Sequence, residues 1–185
     1  LQVRDTNKNR RSIGVLALVC AFVQLAIAPN IGVGAGRANI ALVFAGLVAL
    51  SIGGRTGVAA GFCAGLFYDL TTTGPVGLMA LLLTVCAYVL GTEEHNRLAD
   101  DPTGSVTTFA IADLCVCLVY HITMLLVGQT DSIVEALLSR TLPSFVLTLV
   151  AFLLFWFFTY RGTGTGPSTM HAGRHGGGRY TLGKL

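Results

Sequence analysis

Six apolar stretches succeed one another along this chain with only short polar breaks between them: Ile13 to Ala28, Ala38 to Ile52, Gly57 to Leu70, Val76 to Leu90, Val106 to Val127 and Leu142 to Tyr160. A helix needs about 20 mainly apolar residues to cross a hydrocarbon layer of about 30 Å. The pattern predicts an all-α, polytopic membrane protein folded as a six-helix transmembrane bundle. Composition agrees, since 53% of the 185 residues are hydrophobic and only 11% are charged. An ordinary soluble domain carries about 25% charged residues. Mean hydropathy is +0.71. The second and third stretches are short for a span. Gly53, Gly54, Arg55 and Thr56 make a minimal turn between them, so the two can form a tight hairpin whose flanks extend into the interface.

The first stretch also has features of a cleaved signal, with basic residues before it and Ala26-Ile27-Ala28 as a cleavage-like site. Pro29 argues against cleavage there, and five further stretches need an orienting first helix, so it is read as span one. Lys and Arg collect on the cytoplasmic side of membranes. With the N-terminus inside, Arg4, Lys8, Arg10, Arg11, Arg55, Arg97, Arg161, Arg174, Arg179 and Lys184 are cytoplasmic, against Arg37 and Arg140 outside. Both termini are therefore expected in the cytoplasm.

Three parts follow: a basic cytoplasmic N-terminus over residues 1–12, a six-span transmembrane domain over 13–160, and a glycine-rich basic cytoplasmic tail over 161–185. The tail has four basic residues and no acid. With so little apolar surface to bury it is expected to be disordered, either solvated or held weakly against anionic lipid. The inner loop TEEHNRLADDPTGS, Thr92 to Ser105, has four acids against one Arg and is either a docking surface or a solvated connection. The five cysteines, Cys20, Cys63, Cys86, Cys115 and Cys117, lie inside apolar stretches and read as small core residues.

No motif points to a reaction. GRYTLGKL at the end has the spacing of a phosphate loop, but Leu185 stands where Ser or Thr would bind magnesium, and no strand precedes it. His171 and His175 could share a metal only on a helix, which so many glycines oppose. No serine, cysteine or histidine constellation suggests nucleophilic catalysis. A protein without enzymatic activity, cofactor, metal or nucleic-acid partner is expected.

The polar and small residues inside the stretches say more, because they are costly in lipid. Gly57, Gly61 and Gly65 form a small-xxx-small face for close helix packing, either within one subunit or in a homo-oligomer; an internal neighbour is the simpler reading. Asp69 continues the same count to a helix C-terminus, where the macrodipole disfavours an anion. Arg37 lies at the same membrane level, as far from the turn as Asp69, so an Arg37–Asp69 ion pair with Asn39 as a further donor is expected. Otherwise Asp69 reaches outer water or caps the Thr71-Thr72-Thr73 turn before Pro75. Asp113 lies about 10 Å into span five, counted from Val106 at 1.5 Å per residue. Tyr120 and His121 fall close to its face, and the three could form a polar stripe used for proton transfer, for contact with another membrane protein, or for packing alone.

The succession Arg37-x-Asn39, Arg55, Gly61-Phe62, Gly65, Asp69-Leu70, Gly77, Ala80-Leu81 and Ala87-Tyr88, with Asp113 in the fifth span, resembles the bacterial rod-shape-determining MreD family. The similarity is clear over roughly residues 12 to 127 and compatible through the sixth span; the acidic loop and the long tail depart from it. The resemblance implies a multi-pass inner-membrane component of the elongation complex (elongasome) that directs lateral peptidoglycan synthesis and cell shape. Its implied partners are MreC and, through MreC, MreB, RodA and its transpeptidase. It also implies likeness in size and span number to the substrate-capturing subunits of energy-coupling-factor vitamin transporters.

Two functions are thus in play. A non-enzymatic scaffold needs small-residue helix faces, short outer loops and few intramembrane charges, all of which are present. A substrate-binding or proton-coupled transport subunit needs a closed polar cavity and broken helices. No break is visible inside a span apart from the Pro75 turn, and scaffold is the expectation.

Overall fold

The computed structural model describes residues 6–28, 30, 32–34, 36–92, 102–128 and 133–162. Helix α1 (Thr6–Ala26) is followed by a small antiparallel hairpin of β1 (Gly32–Val33) and β2 (Gly36–Arg37), with Gly32 opposite Arg37 and Val33 opposite Gly36. Then come α2 (Ile40–Ser51), α3 (Gly54–Thr71), α4 (Leu78–Thr92) and α5 (Pro102–Leu126). A π-helical segment, Glu135–Thr141, runs directly into α6 (Leu142–Gly162).

The protein is all-helical apart from the hairpin, and each apolar stretch carries one helix. Thr103–Leu126 and Leu137–Phe158, of 24 and 22 residues and mean hydropathy 2.1, are each long and apolar enough to cross a membrane alone. Helices α1, α3, α4, α5 and α6 overrun their apolar stretches, whereas α2 lies within its own and does not extend at its flanks as expected. Pro102, Thr103, Gly104 and Ser105, assigned above to the acidic loop, form the first turn of α5, where a proline at the first helical position gives up no hydrogen bond. Residues 93–101 of that loop and 163–185 of the tail lie outside the described residues, and so do the phosphate-loop lookalike, His171 and His175.

Helix α2 is the axis of the bundle. Every residue from Ile40 to Leu50 is buried, and a helix apolar on all sides must be surrounded. Helices α1, α3, α4, α5 and α6 all touch it. Its length, about 18 Å at 1.5 Å per residue, suits an interior strut. Gly46 leaves room on α2 for the Phe109 ring of α5, which stacks on Phe152 of α6 with centroids 3.7 Å apart and planes inclined by 10°. Large apolar side chains face outward on the surrounding helices, among them Phe22, Phe62, Val85, Ile122 and Leu154.

The α2–α3 turn is tighter than expected. Gly53 and Gly54 have φ of 64° and 57°, a region open mainly to glycine. Arg55 and Thr56 already belong to α3, and both are exposed. The π-helical segment is new, and Pro143 explains it. A proline has no amide to donate and clashes with the carbonyl four residues back, so a wider turn before it relieves both problems. The closing bond of this turn runs from the Leu142 amide to the Leu137 carbonyl.

Candidate functional site

The polar groups of the bundle gather at the end that carries the β-hairpin. Helix α2 begins there in buried surroundings, so its first amides need partners other than water. Three side chains supply them. The Asn39 Oδ1 accepts from the Leu42 amide at 3.0 Å as an N-cap. Gln24 of α1 accepts from the Ile40 amide at 2.9 Å, and Thr148 of α6 accepts from the Asn39 amide at 3.0 Å. One turn earlier on α6, Ser144 accepts from the Arg37 amide at 3.1 Å, while Asn39 Nδ2 lies 3.5 Å from the Met79 sulfur of α4. Asn39 thereby ties α2 to α4 and α6. Gln24, Ser144 and Thr148 were not singled out from the sequence. Thr141, which ends the π-helical segment, and Ser144 and Thr148 on α6 are buried at helical spacing, which is the signal that could have found them.

Asp69 has different partners from those expected. It is buried in the last turn of α3, and its carboxylate accepts three amides of the next helix's start: Gly77 at 2.9 Å, Met79 at 3.1 Å and Ala80 at 3.0 Å. No ion pair joins it to Arg37, whose side chain is exposed at the end of β2. The length argument for the pair was sound on level alone. A helix N-terminus lies closer, and it combines unpaired amides with the positive end of a macrodipole. Thr71 and Thr72 bond back to carbonyls of Phe67 and Tyr68 and close α3 beneath it.

The glycines below Asp69 set the distance between helices. A Cβ at Gly57 would lie 3.0 Å from the Ala49 Cα of α2. At Gly61 it would be 2.6 Å from the Leu83 carbonyl oxygen, and at Gly65 2.5 Å from the Ala80 Cα, both on α4. The face therefore packs α2 on one turn and α4 on the next two, inside a single chain.

A polar cavity of about 660 Å³ opens at the same end, bounded by α1, the hairpin, the α3–α4 turn, α5 and the π-helical segment. Arg37, Asn39, Tyr68, Tyr120, His121 and Arg140 contribute to its lining. Tyr120 meets Tyr68 edge to face at 6.1 Å and His121 at 5.5 Å. The His121 Nδ1 lies 2.8 Å from the Cys117 carbonyl. A carbonyl can only accept, so Nδ1 carries the proton and Nε2 remains for the cavity.

Asp113 stands apart from Tyr120 and His121. It is fully buried and does not line the cavity, and its Oδ1 accepts from the Cys117 thiol at 3.4 Å. Its Oδ2 has no hydrogen-bond partner among the described residues. The expected stripe is thus two cavity-lining rings and one enclosed carboxyl, with Cys117 between them. Of the cysteines, Cys20, Cys86 and Cys117 are buried, whereas Cys63 and Cys115 are exposed and not core residues. Their helix faces point outward, which residue type alone does not reveal.

The family description "rod shape-determining protein MreD" matches residues 7–161. The chain belongs to the MreD family. Its MreD region runs from the first turn of α1 to the last turn of α6 and takes in the whole hairpin end. Membership brings a role in rod cell shape and an association with membranes. No curated protein and no solved structure matches the chain. Of the residues that carried the MreD resemblance, Asn39 caps α2, Gly61 and Gly65 admit α4, and Asp69 binds the amides of Gly77 and Ala80, whereas Arg37, Arg55, Phe62, Leu70, Leu81 and Tyr88 are exposed.

Proposed function

We propose that the protein is a non-enzymatic scaffold of the bacterial inner membrane, crossing it six times with both termini cytoplasmic. It acts with MreC in the elongation complex that directs lateral peptidoglycan synthesis, and through MreC with MreB, RodA and its transpeptidase. The observation that carries this reading is the use made of the polar groups. Gln24, Asn39, Asp69, Ser144 and Thr148 are spent on backbone amides of the bundle itself, across α1, α2, α4 and α6. Such groups rigidify a shape that then offers its outward apolar faces to lipid and to other membrane helices.

The exposed apolar side chains on α1, α3, α4, α5 and α6 support burial of the whole bundle in lipid, with the short α2 shielded inside it. The charge pattern supports the orientation. Arg37 and Arg140 line one cavity at the hairpin end, whereas Arg55 begins α3 at the other end. Affinity purification from native membranes in mild detergent tests the reading. MreC and cell-wall synthesis proteins are expected to co-purify, and depletion is expected to abolish rod shape. Recovery with an ATPase module and a vitamin-sized ligand, with normal cell shape, would overturn it.

A further inference from the structure

Gln24 belongs to the walls of two cavities. One is the polar chamber of about 660 Å³ at the hairpin end; the other is an apolar groove of about 250 Å³ between α1, α2 and α3. Gln24 lines both. From it the groove follows α1 back to Ala17, about 10 Å at 1.5 Å per residue. Its width comes from small residues, Ala17, Ala21, Ala41 and Ala64, and its far wall from Phe44 and Phe67.

The chamber offers hydrogen-bond donors and, among the described residues, no charged acceptor. Gln24 Oε1, Asn39 Oδ1 and Ser144 Oγ are already accepting backbone amides. The first and last of these groups also carry donors, the Gln24 amide N–H and the Ser144 hydroxyl proton. Arg37 adds an exposed guanidinium, and Arg140 is the second arginine of the lining. No carboxylate lines the chamber among the described residues, and His121 Nε2 is its one aromatic-nitrogen acceptor there. A guanidinium with neutral donors around it suits a phosphate. Besides Gln24 the groove offers only the weakly polar thiols of Cys20 and Cys63, so hydrocarbon is favoured in it. A whole helix, at least 10 Å across, would need about 800 Å³ over the same length, whereas a single chain of methylenes is narrow enough.

We propose that chamber and groove form one site for a membrane phospholipid, its phosphate against Arg37 and one acyl chain lying past Gln24 in the groove. A free phosphate would leave the groove unexplained, and a phosphate-free lipid would leave Arg37 unexplained. The site is independent of the scaffold reading, since it rests on the two cavities alone.

The test is native mass spectrometry and phosphorus analysis of the full chain, purified from membranes in mild detergent. The expected result is about one phospholipid retained per chain. Arg37→Gln, which changes an exposed side chain, and Ala21→Phe, which fills the groove, should each lower retention about tenfold at unchanged melting temperature, a loss of about 1.4 kcal/mol. Leu154→Ala, on the outward face of α6, should leave retention unchanged. Absence of bound lipid, loss in only one of the two site variants, or a polyisoprenyl phosphate or phosphate-free lipid in its place would each overturn the proposal.

Discussion

The carboxylate of Asp69, in the last turn of α3, accepts the amide of Ala80 in the first turn of α4 at 3.0 Å. The Gly77 and Met79 amides share the same carboxylate. An acid that its own helix dipole disfavours is thereby placed at the favourable end of the next one. Directly beneath it, Gly65 brings the same two helices to backbone contact, so cap and close packing act on one joint.

Removing the Asp69 carboxylate should cost about 3 kcal/mol or more, because Asp69→Ala leaves three amides without their charged acceptor at about 1–3 kcal/mol each. Thermal unfolding in detergent measures it. Asp69→Asn keeps one acceptor oxygen and should lose less. The charge-swapped double variant, Arg37→Asp with Asp69→Arg, should be no better than Asp69→Arg alone. Recovery in that double variant would restore the ion pair that the sequence suggested.

Thr148→Val keeps the shape of the side chain and removes its acceptor, leaving the Asn39 amide unpaired inside the bundle. A loss of about 1–3 kcal/mol is expected. Asn39→Ala removes an N-cap, for which about 1 kcal/mol is typical, and also frees α2 from Met79. Asn39→Asp retains the cap and should recover most of that loss. Equal melting temperatures for wild type, Thr148→Val and Asn39→Ala would show that the start of α2 is hydrated rather than tied to α6.

Part of this joint was legible in the sequence and part was not, for physical reasons. Apolar run length located six helices, and the four-residue count of Gly57, Gly61, Gly65 and Asp69 put them on one buried face. The need of Asp69 for a partner was legible too. Its partner was not, because side-chain charges are visible in a sequence while the free amides of a helix start are not. Gln24, Ser144 and Thr148 were hidden among apolar neighbours, their importance arising only when α1, α2 and α6 meet. The β-hairpin and the π-helical segment were also missed, since two-residue strands have no readable period and Pro143 alone does not say which adjustment precedes it.

Glycine-to-alanine substitutions should divide by their neighbours. Gly65→Ala drives a methyl group against the Ala80 and Met79 backbone, which cannot move aside as a flexible side chain would, and about 1–3 kcal/mol of destabilisation is expected. Gly14→Ala meets nothing within 4 Å on α1. There the better helix propensity of alanine should leave stability unchanged or raise it by up to about 1 kcal/mol. Thermal melts of the two variants side by side make the comparison, and a Gly65→Ala melting temperature no lower than that of Gly14→Ala would mean that close approach does not account for Gly65.

The two buried aspartates should respond unequally to the same substitution. Asp69 satisfies three amides, whereas Asp113 receives one thiol, a weak donor, and its Oδ2 has no partner among the described residues. Asp113→Ala removes a polar group whose burial is itself unfavourable, offsetting the small void it leaves. Its stability should stay within about 1 kcal/mol of wild type, against about 3 kcal/mol or more for Asp69→Ala. A melting-temperature drop as large as that of Asp69→Ala would reveal a strong partner for Oδ2. With the fold retained as expected, rod-shape complementation by Asp113→Ala becomes a clean readout, since any shape defect then reports on contacts or proton movement at Asp113 and not on the stability of the bundle.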